Sequence, residues 1–296
     1  MQAASAIIIL FFSIFSLIWI RKLIIKNRKA AKINLEISER DSYLKQPLDN
    51  ISSFESSDFI FSLTSIPSRF SHLIQVVDSL LNQVMPAKEI HLNLAQSDTS
   101  ILPETIRSYL ESNGVSIFAI DDLGPAKKLI PTLQRTEMPV ICVDDDLIYK
   151  PTLTYHLMFQ HKEYPNNVIA SRTHQITKDK NGQINPYAKW KKQYSETDGP
   201  SPDLFATSGA GTLFKKEFFH ADVFDMKLYK ELAFYCDDLW WYFQAIRNGI
   251  DVRRIPGGWP LDFIPGTQEQ GLWRTGNKER NEIILQNLLK RYGKPF

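Results

Sequence analysis

The apolar run at residues 139–143 passes without a spacer into three aspartates, Asp144, Asp145 and Asp146. A short run rich in β-branched residues predicts a buried strand. Three adjacent carboxylates repel one another unless a cation or several N–H donors gather around them, and such oxygen ligands suit Mg²⁺ or Mn²⁺. In open α/β sheets, ligands bind beyond the carboxyl ends of strands. The stretch therefore predicts a metal and diphosphate site at a strand end, with a solvated acidic turn as the alternative.

Hydrophobic residues on both sides of this run alternate between strand and helix patterns. Strands are predicted at residues 59–64, 89–95, 115–120 and 168–171, and helices at residues 73–81, 103–112 and 153–161. This alternation predicts a mostly parallel sheet with helices on both faces. A hydrophobic fraction of 43% in 296 residues is enough to build its core. Residues 177–202 lack an apolar period, which predicts a mobile functional loop or an insertion.

The first residues of the chain predict a membrane anchor. Residues 1–20 carry no charge, and the basic residues that follow begin with Arg21 and Lys22. The positive-inside rule then predicts a single-pass membrane protein with its globular part in the cytoplasm, or in the Golgi lumen if the source is eukaryotic. A cleaved signal peptide and a buried core helix are the alternatives. We divide the chain into an anchor with its basic flank (1–32), a linker (33–57) and one globular domain (58–296).

Charge and cysteine content exclude several classes of protein. The net charge of +2 argues against nucleic acid as the main partner. Cys142 and Cys236 do not form a disulfide framework, and no cysteine and histidine spacing resembles a zinc site.

Two further stretches contain candidate site residues. Residues 206–214 place small residues, among them Gly209 and Gly211, ahead of an apolar run. Glycines let a backbone approach a ligand closely, but they also form bulges and turns. Asp237 and Asp238 open a predicted helix. They are either partners of the helix dipole or, in aromatic surroundings that raise a carboxyl pKa, a source of a general base.

The order of these features resembles the nucleotide-diphospho-sugar glycosyltransferases of the GT-A fold, in a family 2-like form with exostosin-type features. The series comprises the first strand, the DxD-type aspartates, the glycine segment and the acidic pair that follows Cys236. The resemblance covers about residues 59–255 and implies a Rossmann-like sheet. It also implies metal-dependent transfer of a hexosyl or N-acetylhexosaminyl unit, most simply from a UDP-sugar, to a hydroxyl of a glycan or lipid-linked acceptor, as in polysaccharide biosynthesis.

The resemblance implies roles for residues on the donor side. Three residues at the end of the first strand would contact the nucleotide base or ribose: Thr64, Ser65 and Arg69. Asp144 and Asp145 would serve the ribose and support the metal site, and Asp146 would bind Mn²⁺ or Mg²⁺. In the segment Gly-Pro-Ala-Lys-Lys, Lys128 would contact the donor, whereas Lys127 would be exposed.

The remaining implied roles concern the acceptor side and the C-terminal tail. Gly209 and Gly211 would line the donor sugar and the acceptor. Asp238 would be the base of an inverting enzyme, and Asp237 would hold sugar hydroxyls. No histidine follows His220, so metal ligation would depend on Asp146, phosphate oxygens and water. Residues of the tail would either close over the donor or, for the tryptophans, pack in the core: Trp259, Asp262, Gln270, Trp273, Arg274 and Asn277.

Two other functions are compatible with clustered carboxylates. A nucleotidyl- or phosphoryl-transferring enzyme would need a glycine loop that holds phosphate near the first strand, and residues 65–69 contain no glycine. A catalytically inactive, membrane-anchored glycan-binding module is the second alternative, and the presence of both acidic sites argues against it.

Overall fold

A computed structural model describes residues 58–257, 260–270 and 277–296 of the chain. The predicted anchor (1–32) and linker (33–57) lie outside these residues, as do Trp259, Trp273 and Arg274. Within the described ranges, no helix combines the length and the apolar character that a membrane crossing requires.

The described residues form a mixed α/β domain around a seven-stranded sheet. The strands of the domain are β1 (Ile60–Leu63), β2 (Glu89–Ala95), β3 (Val115–Ile120), β4 (Val140–Val143), β5 (Val168–Ala170), β6 (Thr173–Gln175), β7 (Leu204–Ala206), β8 (Ala210–Phe214) and β9 (Val252–Arg254). The large sheet has the order β3-β2-β1-β4-β8-β5-β9, and β6 pairs with β7. All neighbours in the large sheet are parallel except β8, which runs antiparallel to β4 and to β5. This confirms the predicted α/β class with a mostly parallel, Rossmann-like sheet.

Helices flank this sheet. They are α1 (Leu73–Leu81), α2 (Gln96–Thr99), α3 (Glu104–Ser112), α4 (Ile130–Arg135), α5 (Leu153–Glu163), α6 (Met226–Leu232), α7 (Asp237–Arg247) and α8 (Asn277–Tyr292). Short 3₁₀ helices lie between them, at Pro67–His72, Gly124–Lys128, Tyr187–Lys189, Lys216–Phe218, Ala221–Phe224 and Thr267–Gln270. Every residue of β1 and β4 is buried. Burial on both faces is typical of a parallel sheet covered by helices on each side.

Helix α7 carries its N-terminal aspartates into the interior because the rest of the helix is apolar. Trp240, Trp241 and Phe243 are almost completely buried, and the ring of Trp241 meets that of Phe214 edge to face at 5.6 Å. Burying an aromatic side chain of this size stabilises the fold by about 2–3 kcal/mol. The packing of α7 therefore fixes the position of Asp237 at its first turn.

The irregular stretch at residues 177–202 is partly packed against the domain. Tyr187 and Trp190 are buried, and their rings lie 6.1 and 5.2 Å from that of Phe205 in β7. Two aromatic side chains thus attach this stretch to β7, a contact that the absence of an apolar period did not predict.

Candidate functional site

The register of the sheet brings the predicted site residues together. In β1 and β4, Ser62 lies beside Cys142, so the residues that follow these two strands leave the sheet at the same edge. Strand β8 starts at this edge because it is antiparallel to β4, and Val143 pairs with Ala210. The backbone N–H of Asp144 donates to the carbonyl of Gly209 at 3.1 Å.

Lys128 joins the two acidic groups. Its Nζ donates to Asp144 Oδ1 at 2.9 Å and lies 3.3 Å from Asp237 Oδ2. The Asp144 side chain remains 40% exposed, whereas the Lys128 side chain is only 8% exposed. The neighbouring carboxylates raise the pKa of Lys128 well above its usual value, although burial acts in the opposite direction. One buried cation thus holds the end of β4 against the start of α7.

The expectation that Lys127 is exposed is wrong. The side chain of Lys127 is only 5% exposed, and its ammonium bonds to Asp122. The 3₁₀ helix Gly124–Lys128 buries both of its lysines. A buried ammonium requires a carboxylate partner, and each lysine therefore has its own.

Arg69 and Ser65 hold Asp145. Arg69 Nη1 donates to Asp145 Oδ1 at 2.7 Å, and Ser65 Oγ donates to Asp145 Oδ2 at 2.6 Å. Arg69 Nη2 also lies 3.2 Å from Asp146 Oδ2. The Thr64 hydroxyl donates to the carbonyl of Asn93 at 2.6 Å. Ser65 and Arg69, which the resemblance assigns to the nucleotide, thus fix the aspartates that follow β4, whereas Thr64 bonds to β2.

Asp146 is buried and contacts both Arg69 and the C-terminal part of the domain. Its Oδ2 accepts a hydrogen bond from Gln268 Nε2 at 3.0 Å and lies beside Arg69. Burial, together with the charge of Asp144, raises the pKa of Asp146 to about 6. The segment that carries Gln268 is held by the backbone: the N–H of Ile264 donates to the carbonyl of Asp146 at 2.9 Å.

The tail residue Asp262 also lies against this loop, although its carboxylate is not the contacting group. The backbone carbonyl of Asp262 accepts a hydrogen bond from the N–H of Ile148 at 2.9 Å, and Asp262 itself is exposed. The tail thus reaches the aspartate loop mainly through main-chain bonds and Gln268.

The donor set can be tested for a metal ion. Among the described residues, no group of three or more histidine, cysteine or acidic side chains forms a site that could hold one. However, five carboxylates face two ion-paired cations, Arg69 and Lys128; the carboxylates are those of Asp144, Asp145, Asp146, Asp237 and Asp238. This excess of negative charge, on oxygen ligands, fits a divalent cation that also binds phosphate oxygens. Asp146 is the side chain that would bind it.

Asp238 has the surroundings expected of a general base. Its Oδ1 accepts the backbone N–H of Ser208 at 3.1 Å and a second hydrogen bond from the Ser208 hydroxyl. It borders a small, largely apolar cavity whose lining includes Phe214 and Trp241. Burial, together with the charge of Asp237, raises the pKa of Asp238 to about 7, although Lys128 acts in the opposite direction. A carboxyl with this pKa exchanges a proton readily at neutral pH.

Each of the two glycines is required by close packing against a different side chain. A side chain at position 209 would overlap the Asp144 carboxylate. At Gly211, φ is +104° and an added Cβ would lie 2.8 Å from Leu153 Cδ2. The Tyr149 hydroxyl accepts the N–H of Asp144 at 2.7 Å and donates to the carbonyl of Gly209 at 2.5 Å. Glycine at position 209 therefore lets the chain ahead of β8 approach the aspartate loop, and glycine at position 211 lets β8 approach Leu153 of α5.

Four contributing residues were not predicted from the sequence: Tyr149, Arg172, Ser208 and Gln268. Ser208 lies inside the small-residue stretch, and a hydroxyl one residue before Gly209 is a signal that sequence reasoning can use. Gln268 lies 122 residues from its partner Asp146, and no local pattern indicates that contact.

Comparisons with known proteins give a distant structural likeness. No family model matches the chain, and no curated protein matches it by sequence. The crystal structure of S. aureus TarS 1–349 is 15% identical, with a TM-score of 0.45, and the match covers 79% of this chain and 72% of that chain. The same TarS segment in complex with UDP is 15% identical, with a TM-score of 0.47, covering 78% and 65% of the two chains. The match thus spans less than two thirds of the TarS chain solved with UDP, and it carries no information on the reaction of this chain.

Proposed function

We propose that the chain is a metal-dependent glycosyltransferase of the GT-A fold. It transfers a hexosyl or N-acetylhexosaminyl unit from a nucleotide-diphosphate donor, a UDP-sugar, to a hydroxyl of a glycan or lipid-linked acceptor. The observation that carries the proposal is that Lys128 pairs with Asp144 at the end of β4 and with Asp237 at the start of α7. This supports a single site in which Asp146 is the candidate metal ligand and Asp238, next to Asp237, is the candidate base. Sugar transfer needs both, because it stabilises a leaving phosphate and deprotonates an acceptor.

On the donor side, the protein supplies a fixed set of oxygens. Asp146 would hold Mn²⁺ or Mg²⁺, and a bound cation of this kind neutralises the charge that develops on the leaving diphosphate. Asp145 is committed to Arg69 and Ser65, so it keeps the loop in place. Asp144, at 40% side-chain exposure, can accept bonds from ribose or sugar hydroxyls. Lys128 is committed to two carboxylates and acts by holding them.

On the acceptor side, Asp238 takes the proton of the acceptor hydroxyl. The acceptor oxygen forms a bond to the anomeric carbon while the bond from that carbon to the phosphate oxygen breaks. The sugar passes through an oxocarbenium-like state, and one direct displacement inverts the anomeric configuration. Ser208 fixes the carboxylate of Asp238 through its N–H and its hydroxyl.

The proposal includes attachment to a membrane through residues 1–32, with the domain on the cytoplasmic side. This part is supported by the apolar run at residues 7–20 and by the basic residues that follow it. We expect the full chain to sediment with membranes and a variant lacking residues 1–32 to stay in the supernatant. Protease is also added to sealed vesicles whose cytoplasmic face is shown to be outward. Digestion of the domain is expected, and its protection would contradict cytoplasmic exposure.

A release assay tests the reaction. The full chain is incubated with a panel of sugar nucleotides, with Mn²⁺ or with a chelator, and the nucleotide product is identified. We expect nucleoside diphosphate, in a metal-dependent manner, from one donor. Release of nucleoside monophosphate or pyrophosphate would indicate a nucleotidyl or phosphoryl transferase instead. Donor binding without release in the presence of membrane extract would indicate an inactive binding module.

A further inference from the structure

Arg172 is connected to the proposed base, Asp238, by hydrogen bonds that pass through Thr207 and Ser208. Arg172 follows β5, and its Nη1 donates to Thr207 Oγ1 at 3.0 Å. The N–H of Thr207 donates back to the carbonyl of Arg172 at 3.1 Å. The next residue is Ser208, which bonds to Asp238. Arg172 is therefore attached to the segment that positions the base.

Arg172 lacks the anionic partner that three other arginines of the domain have. Arg69 pairs with Asp145, Arg247 with Asp222, and Arg254 with Asp198. Within the ranges that the structure describes, Arg172 forms no ion pair, and its Nε is buried without a hydrogen-bond partner.

The electrostatic surroundings of Arg172 agree with this. Burial lowers the pKa of Arg172, although Tyr187, Asp238 and Asp144 act in the opposite direction. The pKa of Arg69 is raised instead, because its carboxylate partners outweigh burial. A partly buried guanidinium without a counter-ion is costly, and an anion that binds there would offset this cost.

The wall around Arg172 is both cationic and aromatic. Lys192 Nζ lies 3.4 Å from the ring centroid of Tyr187 and 5.8 Å from that of Trp190. Burial, followed by the charges of Arg172 and Lys192, lowers the pKa of His174 to about 3. Both cations are therefore close to this histidine. Because the rings of Tyr187 and Trp190 are themselves buried, the positive charges of Arg172 and Lys192, and not the ring faces, are the feature of this wall that suits an anionic ligand.

We propose that Arg172 is a specificity-determining residue that binds an anionic group, a carboxylate or a phosphate, on the acceptor. The inference rests on the proposed function and names the class of acceptor: an acidic glycan or a phosphate-bearing polyol. The acceptor is the source of the anion because Arg172 is linked to the Asp238 side of the site. The donor phosphates are assigned instead to the cation that Asp146 would hold. The planar guanidinium can bind either anion through two parallel hydrogen bonds.

Binding to the nucleotide-filled protein tests this inference without the natural acceptor. The full chain in detergent is saturated with UDP and Mn²⁺, so that the donor site is occupied. Dissociation constants are then measured by ligand-observed NMR for two pairs of probes: methyl β-glucuronide against methyl β-glucoside, and glycerol 3-phosphate against glycerol. Four proteins are compared: the wild type, Arg172→Gln, Arg172→Lys and Arg107→Gln. Arg107 is a partly buried arginine on α3, paired with Glu104 and Glu111.

We expect the wild type and Arg107→Gln to bind the charged member of at least one pair more tightly. Arg172→Gln should lose that preference by on the order of 10- to 100-fold, as for the loss of a charge-assisted hydrogen bond, while Arg172→Lys should retain part of it. UDP affinity should be equal in all four proteins.

Two results would overturn the inference. One is a wild type that does not discriminate within either pair. The other is a loss of UDP affinity in Arg172→Gln, which would assign Arg172 to the donor phosphates. If Arg172→Gln does not fold, Arg172→Lys decides, because it keeps the charge and must then show an intermediate preference. Failure of the proposed function would be seen in a different experiment, because the wild type would then release no nucleoside diphosphate in the release assay.

Discussion

The ammonium of Lys128 lies 3.3 Å from the carboxylate of Asp237, and their side chains are only 8% and 10% exposed. The same ammonium bonds to Asp144 at 2.9 Å. Because these carboxylates follow different elements of the fold, the position of α7 relative to β4 depends on one buried charge.

The first prediction concerns that charge. Lys128→Met should lower the free energy of unfolding by about 3–5 kcal/mol, because it leaves two carboxylates without their cation in a buried site. Urea unfolding at neutral pH measures this. Lys127→Met is the matched control, since it is the adjacent buried lysine, and its partner Asp122 is 63% exposed. The control should lose only about 1 kcal/mol. Equal losses in the two variants would show that Lys128 has no special structural role.

The second prediction concerns the rate at different pH values. Because the pKa of Asp238 is raised to about 7, the fraction of ionised base falls as the pH drops below that value. The kcat/KM should therefore decline on the acid side with an apparent pKa near 7. Asp238→Asn should slow turnover by about two to four orders of magnitude and abolish this limb, while UDP binding persists. Unchanged turnover in Asp238→Asn would remove the assignment of the base.

The same pKa gives a prediction for stability. The folded protein holds a proton on Asp238 up to a higher pH than the unfolded chain does. Its contribution to stability is thus fully present below about pH 4, the usual range of a carboxyl group, and is lost as the pH rises through about 7. Asp238→Asn should remove this dependence. The free energy of unfolding of the variant should therefore increase relative to that of the wild type between pH 5 and pH 8. A parallel course of the two curves would contradict the raised pKa.

The fourth prediction separates function from stability at Asp146. Asp146→Asn should abolish the enhancement of UDP binding by Mn²⁺, measured by calorimetry with and without a chelator, because it removes the proposed ligand. It should not destabilise the fold at pH 7.5, because burial and Asp144 raise the pKa of Asp146 and disfavour its ionised form. Asp122→Asn, a change at the exposed partner of Lys127, serves as a control that keeps the Mn²⁺ effect. An undiminished Mn²⁺ effect in Asp146→Asn would contradict the metal assignment.

The fifth prediction concerns Gly209. Gly209→Ala should lower the free energy of unfolding by about 1–3 kcal/mol, because the new Cβ overlaps the Asp144 carboxylate. In the background Asp144→Ala, where that carboxylate is absent, the same change should cost clearly less. A double-mutant cycle by urea unfolding measures the difference. Additive losses would show that the two residues do not interact.

Much of the fold could be predicted because its main elements have a clear hydrophobic period. The predicted strand at residues 115–120 and the predicted helix at residues 73–81 have the observed bounds of β3 and α1. Strands β6, β7 and β9 were not predicted as strands, because runs of three residues are too short to show a period. The direction of β8 was also beyond prediction, since alternation along a strand does not reveal its partner.

The sequence indicated which acidic residues belong to the candidate site, but it did not indicate which side chains pair with them. The resemblance assigned Lys128 to the donor, which stays a prediction, and it did not indicate that the ammonium of Lys128 pairs with both acidic groups. Arg69 was expected at the nucleotide, and its bond to Asp145 spans 76 residues. Such pairings depend on the assembled sheet, so a reading of local sequence cannot supply them.

The reversed direction of β8 has a consequence for how new specificity can arise. In a sheet whose strands all run one way, only segments that leave strands reach the ligand edge. Here the segment that enters β8, with Thr207 and Ser208, arrives at that edge as well. Under the proposed function, changes in the residues ahead of β8 would therefore alter the choice of substrate without altering the strands of the core.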